Sequence, residues 1–195
     1  MTDTIFLPKN KMSLAEYLAF QEGEDKKYEF VDGEVRIFHE PGGSEDHSEI
    51  SAHLIWSLIS HKKSTKKSLH VFTSDLNLYI EKLNRTTFPD CMVVLGEKEN
   101  FQNNKNLLTN PILIFEVLSD STRLYDLNGK FEKYKLIPSF REYVLVNQKK
   151  IEVEVKSLQK NGIWEAKTYT NIEERAILNS IDFEMPLRDI YEGIL

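Results

Sequence analysis

The sequence predicts a fold of mixed α and β elements in one domain, and three observations carry that prediction. Tyr28–Val31 and Glu34–Phe38 are β-prone runs joined by Asp32-Gly33, a strong hairpin signal. Residues 45–64 hold apolar side chains at helical spacing, with Ile50, Leu54 and Leu58 four apart and Ile55 and Ile59 beside them. Ile112–Leu118 is almost wholly apolar, the pattern of a strand buried on both faces.

The remaining elements follow in chain order. Ser13 and Glu16, three apart before apolar residues, form a capping box that opens a helix to about Glu22. Pro41, Gly42 and Gly43 make Glu40–Ser44 a loop before the long helix. Leu76, Leu78 and Ile80 alternate with polar neighbours, as in a half-buried strand, and Phe88–Leu95 is a second strand. Glu97–Thr109 is polar and rich in Asn and Lys, so an exposed loop is expected. A helix is expected over Leu124–Ile137, ended by Pro138. Tyr143–Val146 and Ile151–Val155 read as strands joined through Asn147–Lys150, and Trp164–Thr170 reads as another.

Composition bounds the function. The chain has 195 residues, 41% of them apolar, enough for one sizeable core. A net charge of −6 argues against a dedicated, non-specific nucleic-acid binder, but leaves room for an enzyme with one local basic face. Cys91 is the single cysteine, so no intramolecular disulfide forms. Met1–Asn10 lacks the apolar stretch of a signal peptide, and no run of about 18 apolar residues exists to span a bilayer. The expectation is a cytoplasmic protein with no membrane partner.

Glu116 is the most informative residue. A carboxylate inside the apolar strand 112–118 is costly unless a cation or a metal answers it. The ordinary alternative is a strand-end glutamate satisfied by Ser119, Ser121 or Thr122. Asp90 opens the apolar strand after Pro89, and alone it reads as a turn aspartate. Lys130 lies three residues after Leu127 and four before Tyr134, on the flank of the stripe Leu124, Leu127, Phe131 and Tyr134. Its ordinary role is an ion pair with Asp126, four residues earlier. Two carboxylates suit a hard cation such as Mg2+ or Mn2+, which can activate water, and a nearby ammonium can orient that water or balance charge.

Other constellations are weaker. His39, His47, His53, His61 and His70 contain no pair three or four residues apart, so no helical zinc pair is expected. Cys91 follows Asp90 in a strand and so points to the opposite face, as a core residue. Lys62, Lys63, Lys66 and Lys67 either complement the helix dipole or contact phosphates. No nucleophile elbow and no glycine-rich phosphate loop is present.

At these residues the chain resembles the Uma-two family of restriction-endonuclease-like proteins, within the PD-(D/E)XK superfamily. The similarity runs from about Ser13 to about Gly193. Its segments are Tyr28-Glu29 with Asp32-Gly33-Glu34, the histidine-led helix from His47, Pro89-Asp90, and Phe115–Ser119 with Ser121-Thr122. Tyr125-Asp126-Leu127 with Lys130 and Tyr134 follows, then Glu142-Tyr143 with Leu145-Val146. Ser139-Phe140, Val144 and Asn147 depart from the family pattern, away from the proposed site.

The resemblance implies a restriction-endonuclease-like core, a mixed central β-sheet flanked by helices. It implies that Asp90 and Glu116 are metal ligands. The superfamily's lysine two residues after the glutamate is replaced by Leu118 here, and Lys130 is its natural substitute. Glu29 is a candidate further carboxylate, and His47 and Asp126 are candidates for support. The expected function is a Mg2+- or Mn2+-dependent endonuclease acting on DNA, with a homodimer expected for cutting both strands. A non-catalytic DNA-binding or protein-interaction module and another metal-dependent hydrolase on the same scaffold are the alternatives.

Overall fold

The computed structural model describes residues 11–24, 26–37, 44–118 and 129–195. The expected mixed α/β architecture is present, with mixed sheets flanked by helices. Helix α1 (Leu14–Glu22) begins at the Ser13 cap, where Ser13 and Glu16 bond each other's backbone N–H as the capping box predicts. It leads to the hairpin β1 (Tyr28–Val31) and β2 (Glu34–Ile37), whose turn holds Asp32 and Gly33 at positive φ. Helix α2 (Glu45–Thr65) follows, with Ser44 as its N-cap.

The central sheet has six strands in the order β11 (Trp164–Tyr169), β10 (Val153–Leu158), β9 (Glu142–Asn147), β8 (Leu113–Leu118), β6 (Cys91–Leu95) and β3 (Leu69–Thr73). Only β8 and β9 run parallel; the other neighbours are antiparallel. One face carries Cys91, Val93, Leu113, Phe115 and Val117, covered by Ile50, Leu54 and Leu58 of α2 and by the C-terminal segment. That segment is the hairpin β12 (Arg175–Leu178) and β13 (Phe183–Pro186), ending in α4 (Leu187–Tyr191). Burying each of those leucines is worth about 1.5–3 kcal/mol. Met92, Val94, Ile114 and Leu118 point to the other face, against Phe131 and Tyr134 of α3 (Phe131–Tyr134). The same cluster takes in Leu78 and Ile80 of β4 (Asn77–Ile80). β4 belongs to a second sheet ordered β2, β1, β5 (Arg85–Thr87), β4 and β7 (Leu107–Leu108).

Four readings of the sequence are corrected. The expected loop 97–109 contains β7, whose Leu107 and Leu108 are buried and pair in parallel with β4. The second strand begins at Cys91, because Pro89 has no N–H to give a ladder and Asp90 lies at a bend. The strand expected from Ile151 runs over Val153–Leu158. The expected helix to Ile137 ends as α-helix at Tyr134. There the N–H groups of Leu136 and Ile137 turn to carbonyls three residues back, since α geometry is disfavoured before Pro138. The start of that helix, with Asp126, Ser119, Ser121 and Thr122, lies outside the described residues, as do Phe38 and the loop 40–43. No described helix is long and apolar enough to cross a membrane.

Candidate functional site

The register of β6 against β8 decides where the two carboxylates meet. Cys91 stands opposite Phe115, so one step further Asp90 falls opposite Glu116. Alternation along β8 sends Phe115 to the α2 face and Glu116 to the opposite one, where Lys130 and Tyr134 reach it. Asp90, at the bend before β6, is held by the Val117 N–H, which donates to its Oδ2 at 2.7 Å. His47, in the first turn of α2, brings its Nε2 to 3.4 Å from Asp90 Oδ1.

Glu116 is 1% exposed, and its two oxygens take different donors. Lys130 Nζ donates to Oε2 at 3.0 Å, and the Tyr134 hydroxyl donates to Oε1 at 2.8 Å. Lys130 is itself 5% exposed, so it turns inward rather than out to solvent. Tyr134 sits one helical turn after Lys130, which puts both donors on one face. Burial raises the Tyr134 hydroxyl well above its ordinary range, and the charge of Glu116 raises it further. Tyr134 therefore stays a donor through neutral pH.

Glu29 lies on β1, with both carboxylate oxygens answered from β5. Arg85 pairs with its Oε2, and Thr87 Oγ1 donates to Oε1 at 2.6 Å. Its charge also raises the Tyr134 hydroxyl, so Glu29 is within electrostatic reach of the Glu116 cluster. Among the described residues, Lys130 thus answers Glu116 and Arg85 answers Glu29, while Asp90 takes a backbone N–H and stands beside His47.

Asp90 and Glu116 suit a hard cation by their chemistry, since all their donor atoms are carboxylate oxygens and each carboxylate has about four acceptor positions. Among the described residues no group of three or more His, Cys, Asp or Glu stands close enough to form a metal cage. Mg2+ needs only one or two protein carboxylates and fills its shell with water. Zinc prefers nitrogen and sulfur ligands and closed cages, and fits poorly. Leu118, two residues after Glu116, is packed in the core, so the nearby ammonium arrives from the α3 side instead.

The lysine cluster lies elsewhere. From His47 to Lys62 the helix rises about 22 Å, so Lys62, Lys63, Lys66 and Lys67 are remote from the carboxylates. Lys66 caps α2, and Lys67 Nζ bonds Ile181 O at 2.9 Å and Asp182 Oδ2 at 2.6 Å. Sequence reasoning placed Tyr134 in the apolar stripe and in the family motif but gave it no part in the site, and gave Arg85 and Thr87 no role. The spacing of Tyr134 from Lys130 was the available signal for the first; the three-residue strand β5 offered none for the others.

The family Uma2, described as "Putative restriction endonuclease", matches residues 14–188. Two uncharacterized proteins of Synechocystis sp. are similar. The protein slr1290 is 32% identical over 187 residues, covering 96% of this chain and 95% of its own. The protein sll1609 is 35% identical over 137 residues, covering 70% and 75%. A crystal structure of a putative nuclease from Anabaena variabilis superposes with a TM-score of 0.71 at 18% identity, covering 94% of this chain and 99% of that one. That last likeness speaks to the fold.

Proposed function

Because this chain belongs to the Uma2 family, described as "Putative restriction endonuclease", we propose that it hydrolyses phosphodiester bonds in DNA with a divalent cation, Mg2+ or Mn2+, held by Asp90 and Glu116. The observation that carries this reading is two buried carboxylates, Glu116 on β8 and Asp90 at the bend one step beyond the Cys91–Phe115 pair, with a buried lysine delivered to Glu116.

A divalent cation bound there supplies an activated water and stabilises charge growing on the phosphate. The chain's own residues provide the rest. The Val117 N–H fixes the orientation of Asp90, and Tyr134 fixes one oxygen of Glu116 while Lys130 holds the other. Lys130 keeps a positive charge beside the place where negative charge develops during attack, and its ammonium is a donor for the attacking water. Glu29, anchored by Arg85 and Thr87, adds to the negative field that draws in the cation. His47 supports Asp90 from the N-terminus of α2.

A second reading, a non-catalytic DNA-binding or protein-interaction module, draws support from the donors already engaging both Glu116 oxygens and from the net charge of −6. Plasmid nicking with Mg2+ or EDTA separates the two. The wild type is expected to nick only with metal, and Lys130→Met, shown folded by circular dichroism, is expected to lose about 100-fold. Equal activity in the variant, or none in the wild type with either metal, contradicts the nuclease reading.

A further inference from the structure

The outer face of α2 carries a stripe that the described residues leave uncovered. Glu49, Ala52, Trp56, Ile59 and Lys63 are all exposed and follow one another at intervals of three and four residues. That spacing is the seam of one helix packing on another. Trp56 is 63% exposed, whereas Ile50, Leu54 and Leu58 on the inner face are fully buried. Sequence periodicity alone put Ile59 beside the inner stripe, yet it lies on the outer one at 38% exposure. A tryptophan and an isoleucine side by side on an otherwise polar surface mark a contact site.

The charges on the stripe name the occupant. Glu49 stands seven residues before Trp56, and Lys63 stands seven after it. Among the described residues neither has an ion-pair partner. These two charges are thus complementary to one another when the helix is reversed about Trp56. In a two-fold symmetric contact, a residue ahead of the axis in one copy faces the residue equally far behind it in the other.

We propose that this stripe docks a second copy of the chain, with α2 antiparallel to its counterpart about a two-fold axis at Trp56. Glu49 of each copy then meets Lys63 of the other, so both ends of the seam are closed by opposite charges. The small side chain of Ala52 leaves room beside the two indole rings. The helix dipoles run opposite to one another, which favours the antiparallel arrangement. A partner of unrelated sequence would have to present the same charges at the same intervals, whereas symmetry supplies them from this chain alone.

Sedimentation velocity of the full chain across the micromolar range tests the proposal. The wild type is expected to be a dimer, and Trp56→Ser a monomer. Glu49→Lys and Lys63→Glu, both at exposed positions, are each expected to weaken the dimer about tenfold, since two attractive pairs become repulsive. An equimolar mixture of those two variants is expected to recover wild-type affinity as a heterodimer, because each pairs with the charge the other has gained. A wild type that stays monomeric throughout overturns the proposal. So does a dimer indifferent to Glu49→Lys, or a mixture that fails to recover.

Discussion

Lys130 Nζ lies 3.0 Å from Glu116 Oε2, and both side chains are almost wholly buried. Fourteen residues of chain separate them, so the contact ties α3 to the centre of the six-stranded sheet.

The pair is expected to behave as a coupled unit in unfolding. Glu116→Gln and Lys130→Met each remove one half of a buried ion pair, which costs about 3 kcal/mol. The double variant is expected to lose at least about 1 kcal/mol less than the sum of the two. Urea denaturation with EDTA present reads this directly, and strict additivity would show that the two charges do not interact.

Tyr134 makes stability depend on alkaline pH. Its hydroxyl is raised in the folded state, chiefly by burial and then by Glu116, whereas it titrates near 10 when unfolded. A raised folded value means that the native state holds the proton more tightly. The stability it contributes is full below the unfolded value and lost as pH rises past it. Burial pushes Tyr17 up to about 12, with the same sign. The urea midpoint is therefore expected to fall as pH rises from about 10 to about 12, and to fall less in Tyr134→Phe. An unchanged pH slope in that variant refutes the assignment.

Cys91 is fully buried, and burial with the neighbouring Asp90 charge pushes its thiol upward. A thiol held protonated is a poor nucleophile. Ellman's reagent is expected to leave the native protein unlabelled and to react once urea unfolds it. Rapid labelling of the native protein would contradict the burial of β6.

Glu29 is expected to assist without ligating. Glu29→Gln should weaken Mg2+ binding only modestly and lower nicking by about tenfold, through a weaker field and a looser Arg85. Loss of Mg2+ binding equal to that of an Asp90 variant would make Glu29 a ligand instead.

Legibility in the sequence followed the length and regularity of each element. Helix α2 was readable because its period is long and unbroken, and strand β8 because its apolar run is broken only by Glu116. The hairpin β1–β2 was readable because Asp32-Gly33 can take positive φ. Strands β5 and β7 were not, since three residues and two carry no period, and β7 lies in an Asn-rich stretch whose two leucines are buried only by tertiary pairing. Edge strand β3 was hidden because it follows directly on the lysine cluster and its burial does not alternate. The C-terminal hairpin and α4 gave no signal strong enough to read. In the site, Glu116 announced itself as a charge in an apolar strand. Asp90 and Lys130 were legible only as members of a set, because the register that puts Asp90 opposite Glu116 is a long-range fact. Arg85 and Thr87 answer Glu29 across a strand pair that no local pattern reveals.

The central claim is that Asp90 and Glu116 together hold a divalent cation. Isothermal titration of Mg2+ and Mn2+ into the wild type and into Asp90→Asn tests it most directly. The asparagine oxygen can still accept the Val117 N–H, so the fold is kept while a ligand charge is removed. The account predicts saturable binding by the wild type and loss of that binding in the variant. Equal binding by both proteins, or none by the wild type, would contradict it.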